Sequence, residues 1–347
     1  MAYTTINKSS LHFNTKLYTG TGSTNYQTGI GFQPDWVWIQ NRGGTYANIS
    51  VDSVRGATKL LEPQGTGQEA TVANTLTSFD SDGFTLGADS SNYCNKSSNT
   101  YAAWNWKAGG AASANSSGTI SSSVSVNTTA GFSIVSYTGT GSAGATVGHG
   151  LGAVPQLIIE KARTVTDDWL IYHQAMGNTH GMALNNTTAQ TDSDSYFNDT
   201  SPTSTVFTIG GNGKVNSSGD THIAYCFTEK VGFSKFGSYT ANNNNDGPFI
   251  YTGFAPAYVV LKVYNGTTGG WYIFDNKRPG YNGDASRMLG NDGSTADGGT
   301  GYLDINSNGF KLRHNADDYN GSSYNYLYIA FAAAPLVGSN NVPSTAR

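Results

Sequence analysis

Charge is scarce in this chain. Only 12% of its 347 residues are Asp, Glu, Lys or Arg, about half the usual share. The formal net charge is −4 and the pI about 5.8. That leaves no basic stripe to follow a phosphate backbone, so no nucleic-acid partner is expected. No stretch approaches the roughly 18 consecutive apolar residues of a spanning helix, so no membrane insertion is expected. The first residues, MAYTTINKSSLHFNTK, lack the apolar core of a secretory signal. Leu, Glu and Lys are scarce, which argues against long amphipathic helices. There are two cysteines: Cys94 in the polar stretch SSNYCNKSS and Cys226 in the apolar stretch HIAYCFTE. They fall at non-equivalent places in the repeat pattern of the chain, so no disulfide is expected. Cys226 reads as a small buried hydrophobe.

Glycine, serine, threonine and asparagine are abundant, with 44 Gly, and there are 21 Tyr. A disordered chain would carry few aromatics and more charge, so this one folds. Gly-rich turns between β-branched and aromatic runs predict an all-β protein.

Three anchors recur in fixed order. A proline precedes an apolar strand at Pro34 (GFQPDWVWIQ), Pro155 (LGAVPQLIIEK) and Pro256 (GFAPAYVVLK). A Phe opens a later strand at Phe84, Phe207 and Phe310, after 50, 52 and 54 residues. A closing strand comes next at Tyr101 (YAAWNW), His222 (HIAYCF) and Tyr328 (YIAFAA). Each stretch also opens alike, as FNTKLYTGTGS, FSIVSYTGTGS and FSKFGSYTANN. Such periodicity predicts a repeat architecture. The expected organisation is an N-terminal arm (1–10), β repeat 1 (11–108), a Gly/Ser/Ala/Thr-rich linker (109–130), β repeat 2 (131–231), β repeat 3 (232–335) and a C-terminal tail (336–347). The linker composition suggests a flexible or extended connection. In DWVWIQ, Trp36 and Trp38 share one face and Val37 and Ile39 the other, so this strand is covered on both sides. Short apolar pieces lie at 59–61 (KLL), 182–184 (MAL) and 287–289 (RML). The expected fold is three tandem β-sandwiches of jelly-roll or lectin-like type, about 100 residues each.

Motifs with chemical meaning are few. GTGSAG at 139–144 matches a dinucleotide fingerprint, but the next residues are ATVGHGLGAVP, which cannot form the helix such a site needs. DINSNG at 304–309 begins like a calcium loop, but the twelfth position is Asn315 rather than a bidentate Glu. Its counterpart Asp80-Ser81-Asp82-Gly83 suggests a shared turn. His12, His149, His173, His180, His222 and His314 show no metal spacing. Asp52 with Arg55 and Asp275 with Arg278 hold matching places, as local ion pairs or as ligand readers. The Tyr-rich loop 317–328 either packs at strand ends or offers faces for sugars. Sequons at Asn48 and Asn265 read as Asn/Ser/Thr-rich loops. No catalytic, cofactor-binding or metal residue is assigned, and no cofactor is expected.

The phrases GFQPDWVWIQNR, VDSVRGATKLL, LTSFDSDGFTLG, YAAWNWKAGG, SVNTTAGFSIVSYTGTGSAGATVGHGLGAVPQLIIEK and GFSKFGSYTANNNNDGPFIYTGFAP carry a further signal. On them the chain resembles a family of virion structural proteins of marine tailed bacteriophages, known as tail-fibre or structural proteins. The likeness runs from about residue 3 to the C-terminal STAR. It implies a non-enzymatic component on the particle surface, assembled in the host cytoplasm. Its partners would be other virion proteins, copies of itself and a host-surface glycan or protein. A capsid decoration protein and a free glycan-binding protein are the alternatives.

Overall fold

The computed structural model describes residues 4–44, 46–89, 92–278, 297 and 301–337. The expected piece at 287–289 and most of the C-terminal tail lie outside the described residues.

A short 3-10 turn, Ser9–Leu11, leads into β1 (Phe13–Thr19), β2 (Asn25–Gln27), β3 (Trp36–Asn41), β4 (Ile49–Asp52), β5 (Lys59–Leu60), β6 (Ala70–Thr71), β7 (Leu76–Asp80), β8 (Gly83–Leu86) and β9 (Thr100–Trp106). Next come β10 (Ser113–Asn115), β11 (Ser122–Asn127), β12 (Phe132–Thr138), β13 (Ala145–Gly148), β14 (Leu157–Ala162), β15 (Leu170–His173), β16 (His180–Ala183) and β17 (Thr191–Asp192). The short helices α1 (Asp194–Phe197) and α2 (Gly213–Asn216) flank β18 (Val206–Ile209), and β19 (Thr221–Phe227) comes after them. The last part holds β20 (Ser234–Thr240), β21 (Phe249–Tyr251), β22 (Phe254–Asn265), β23 (Trp271–Asp275), β24 (Leu303–Asn306), β25 (Gly309–Leu312) and β26 (Asn325–Pro335).

The molecule is all-β, and one strand order occurs three times. It is β1-β9-β3-β4 in the first part (11–108, unit 1), β12-β19-β14-β15 in the second (131–231, unit 2) and β20-β26-β22-β23 in the third (232–335, unit 3). Registers agree as well: Trp36, Leu157 and Tyr258, each two residues after its proline, pair with Trp106, Phe227 and Phe331 of the closing strand. A smaller sheet, β2-β8-β7, β13-β18 or β21-β25-β24, belongs to each unit. The second strand pairs with the penultimate, as in a jelly roll. The fourth strand, however, is the hairpin partner of the third, and among the described residues the smaller sheets hold only two or three strands. Each unit is therefore sandwich-like without being an eight-stranded roll.

Every residue of β3 and of β14 is buried, as a strand covered on both faces requires. Val37 and Ile39 pack with Phe84 and Leu86 inside unit 1. Trp36 and Trp38 face the other way, into a cluster shared by all three units. There Trp36 stacks on Tyr225 at 4.3 Å, Phe227 meets Phe331 at 5.6 Å and Phe13 stacks on Phe331 at 5.3 Å. The three large sheets thus close around one aromatic core. Aromatic rings bury much apolar surface and prefer such tilted and offset contacts, which suits them to a site where three sheets converge. A small apolar void of about 30 Å³ remains between Trp36, Trp106, Leu157, Phe227, Tyr258 and Phe331.

A polar latch recurs in each unit. Tyr18, Tyr137 and Tyr239 on the first strand donate their hydroxyls to the carbonyls of Cys94, Val215 and Tyr319, at 2.7, 2.7 and 2.6 Å. The next residue is a fully buried asparagine: Asn95, Asn216 or Asn320. Its Oδ1 accepts from the backbone N–H of Thr21, Thr140 or Asn242, at 2.9, 2.8 and 3.1 Å. Its Nδ2 donates to two carbonyls, those of Ser23 and Gly87, Ser142 and Gly210, or Asn244 and His314. Burying an amide demands such complete pairing. The latch also accounts for Cys94, which occupies the position of Val215 and Tyr319 and lies buried as a free thiol, as does Cys226.

The expected linker is ordered sheet instead. β10 pairs with β11, and β11 pairs with β12 along Ser122–Asn127. The reason lies in the alternation of SSVSVN. Val124 is buried toward the unit 2 core, and Ser125 Oγ, on the other face, accepts from Gly109 N–H at 3.0 Å. Serine-rich composition tolerates a strand when the hydroxyls meet backbone groups and an open edge is waiting.

Candidate functional site: three buried junctions and one open groove

The matched Asp/Arg pairs lie at junctions between units. Asp52 Oδ1 accepts from the N–H groups of Val54 and Arg55 at 3.0 and 2.8 Å, and Arg55 Nε donates to Oδ2. Tyr225 of unit 2 donates its hydroxyl to the same Oδ2 at 2.7 Å. Glu69 extends the contact: it lies 3.5 Å from Arg55 Nη1 and accepts from Arg163 Nε of unit 2 at 2.9 Å. Asp275 repeats the arrangement, with N–H donors from Lys277 and Arg278 at 2.9 Å each and Arg278 Nε at 2.6 Å. Here the neighbour is unit 1: Trp104 Nε1 donates to Oδ2 at 3.2 Å, and Asp297 bridges Arg278 and Arg42. Burial works against the Asp275 carboxylate, but Arg278 and the two N–H donors hold its pKa below the usual range.

Unit 2 carries His173 where the others carry aspartate, and Met176 where they carry arginine. Ala175 N–H donates to His173 Nδ1 at 3.1 Å, so Nε2 carries the proton and donates to Tyr328 C=O of unit 3 at 3.3 Å. Burial pulls this imidazole down to a pKa of about 4. The contacts form a ring in which unit 1 reaches unit 2, unit 2 reaches unit 3 and unit 3 reaches unit 1. Backbone bonds repeat the pattern: Glu69 N–H to Arg163 C=O, Gln190 N–H to Tyr264 C=O and Asp297 N–H to Arg42 C=O, at 2.7, 3.1 and 3.0 Å. Buried lysines also cross two junctions, Lys161 Nζ to Thr66 C=O at 3.3 Å and Lys262 Nζ to Thr187 C=O at 3.1 Å. Burial lowers both to about 8. Asp52, Arg55, Asp275 and Arg278 have fully buried side chains, so the ligand-reading alternative gives way to a junction role.

The other candidates disperse. GTGSAG forms a loop whose Thr140 and Gly141 N–H groups are taken by Asn216 Oδ1, at 2.8 and 3.2 Å, and it leads into a strand. DINSNG turns β24 into β25 with Asn306 opposite Gly309, and Asp80 lies opposite Gly83 likewise. Among the described residues no three His, Cys, Asp or Glu converge on a point that could hold a metal ion. Tyr319, Tyr326 and Tyr328 are buried, stacking and latching within unit 3, so loop 317–328 does not present these rings to sugars. The sequon residue Asn48 is buried too.

An open groove lies where the end of unit 2 meets unit 3. The groove, of about 420 Å³, runs along Glu229, Lys230, Val231, Lys235, Tyr251 and Thr252. Val231, Phe249 and Tyr251 are 63%, 46% and 53% exposed, unusual for residues of their size. Lys235 Nζ lies 5.5 Å from the centre of the Tyr251 ring. Phe249, Ile250 and Tyr251 alternate out-in-out on β21, a pattern that marks an exposed face only once the strand's place at a sheet edge is known.

The fold and its junctions define an all-β protein of three sheets closed on one core. The chain belongs to a family described as a domain of unknown function, DUF7483, whose profile matches residues 8–335. No curated protein and no solved structure matches it.

Proposed function

We propose that this chain is a non-enzymatic structural component of a tailed-bacteriophage particle, of the tail-fibre or appendage type, that contacts the host surface. The observation that carries the reading is the use made of the conspicuous Asp/Arg pairs. They tie three units into one body, while Tyr26, Val231, Phe249 and Tyr251 stay exposed on the surface. A protein built that way spends its buried polar chemistry on rigidity and meets partners with its surface. The phage resemblance of the sequence supplies the setting, and a glycan or protein on the host cell is the proposed target. A capsid decoration role is favoured by one feature, the cyclic contacts of three units that share one strand order, which suit a threefold site on a shell.

Immunogold labelling of purified marine phage particles with antibody to the protein tests this. Label on tails is expected. Label confined to heads replaces the appendage reading with decoration. Absence from both labelled particles and their mass spectra overturns both and leaves a free binding protein.

A further inference from the structure

In unit 2 one extended segment closes the open side of the sandwich. Its first part reaches the small sheet: Ile120 bridges Val147 of β13 in parallel, and its N–H donates to Thr146 C=O at 2.9 Å. Its second part, β11, pairs with β12 of the large sheet. Between them Ser122 Oγ donates to Gly148 C=O at 2.9 Å. Val124 and Val126 lie over Gly150, 3.2 and 3.5 Å from where a Cβ would stand.

Register carries these positions into unit 3. Val147 and Ile250 pair with Phe207 and Phe310, so Gly148 corresponds to Tyr251. Phe132 and Ser234 pair with Phe227 and Phe331, so Ile134 corresponds to Phe236. There the same side of the sandwich is the 420 Å³ groove. Long polar side chains hold the places a strand would fill. Lys235 Nζ takes the Tyr251 carbonyl at 3.0 Å. Phe236 N–H donates to Glu229 Oε1 at 2.8 Å, and Gln174 Nε2 donates to the Phe236 carbonyl. Beyond them Ser238 and Phe249 are exposed on the two rims. In unit 1 the N-terminal turn passes near this side of the sandwich, with Ser10 O 3.4 Å from the Cβ position of Gly31, three residues before Pro34.

We propose that the groove between β20 and β21 is a strand-acceptor site, which takes an extended segment of a partner polypeptide laid as residues 116–127 are laid in unit 2. The partner segment alternates small apolar and hydroxyl residues, because Val124 and Val126 are what the equivalent groove accepts within this chain. Edge backbone groups supply affinity in such recognition and side-chain pockets supply selectivity. Lys235, Glu229 and Gln174 keep the edge from indiscriminate pairing and are displaced by the right strand. The groove's geometry does not depend on where the protein resides, so the site survives failure of the particle reading.

The probe is a fluorescent synthetic peptide of residues 111–128, titrated into the full chain by anisotropy, with amide hydrogen exchange at saturation. One-to-one saturable binding is expected, with new protection at Ser238 and Phe249. Val231→Glu and Tyr251→Ala alter exposed side chains, so they should fold normally and weaken binding about tenfold or more. A peptide with V124D and V126D should bind as weakly. Absence of saturable binding up to millimolar peptide overturns the proposal, as does equal binding by the variants. Protection arising in unit 2, by exchange with the resident strand, overturns it too. Self-association of the chain through this face would replace the partner by a second copy. Occupancy of the groove by oligosaccharides with none by peptide would replace it by a glycan.

Discussion

Asp275 of unit 3 and His173 of unit 2 occupy the same position, at the end of the fourth strand of each large sheet and facing the next unit. Asp275 meets Trp104 as a buried carboxylate balanced by Arg278, whereas His173 meets a backbone carbonyl as a neutral imidazole with Met176 beside it. The position therefore requires a group that hydrogen-bonds across the junction, and it does not require charge. The two solutions differ in how they fail. A buried ion pair is costly to make and far costlier to break on one side. A neutral buried imidazole is cheaper, but ties the junction to pH.

The largest expected effect breaks the charged junction. Arg278→Met leaves Asp275 buried without its counter-ion and should lower the unfolding free energy by about 3–5 kcal/mol. Adding Asp275→Asn removes the uncompensated charge and keeps a side-chain oxygen to accept from Trp104 Nε1, so it should restore part of that loss, as measured by urea denaturation. If the double variant is no better than the single, charge imbalance is not the cause of the loss.

Glu160 offers the next effect. Its side chain is fully buried in unit 2 with neither oxygen bonded to a partner, and burial pushes its pKa up to about 8. For an acid raised in the folded state, the cost is absent below the unfolded value of 4.5 and grows as pH rises toward 8. Glu160→Gln should therefore stabilise the protein by about 3 kcal/mol at pH 7 and by almost nothing at pH 4. Equal effects at both pH values would exclude ionisation as the cause.

His173 is the acid-sensitive member of the pair. Its folded pKa lies near 4 against 6.5 unfolded, so its contribution is lost as pH falls through that window. About 2 kcal/mol should be gone at pH 5. His173→Asn, which can still donate to Tyr328, should flatten the pH profile by one proton. The latch provides an internal control. Asn95→Ala, Asn216→Ala and Asn320→Ala each strand buried backbone groups and should cost about 2 kcal/mol apiece. A loss in only one unit would show that the latches are not equivalent in energy.

Much of this architecture was legible. The thrice-written phrase marked a strand apolar on both faces, and DSDG and NSNG read correctly as turns because Asn, Asp and Gly favour tight hairpin geometry. The latch was not legible, since its asparagines come after Cys94, Val215 and Tyr319 in loops of unequal length. Nor was β11, because SSVSVN has linker composition and becomes a strand only beside the edge of β12. The junction role of Asp52 and Asp275 depended on which unit lies next to which. Tandem order alone does not reveal that units 1 and 3 touch, which the Phe13–Phe331 stack records. The open groove was hidden for a related reason. Phe249 and Tyr251 look like core residues until their alternation is placed on a small edge sheet.

Three units that form one body around a shared core should unfold together, which differential scanning calorimetry can show. A single transition is expected, with calorimetric and van't Hoff enthalpies equal, the signature of one cooperative unit. Resolved transitions, or a calorimetric enthalpy about three times the van't Hoff value, would contradict it. The units would then be independent sandwiches, joined in sequence without a common core.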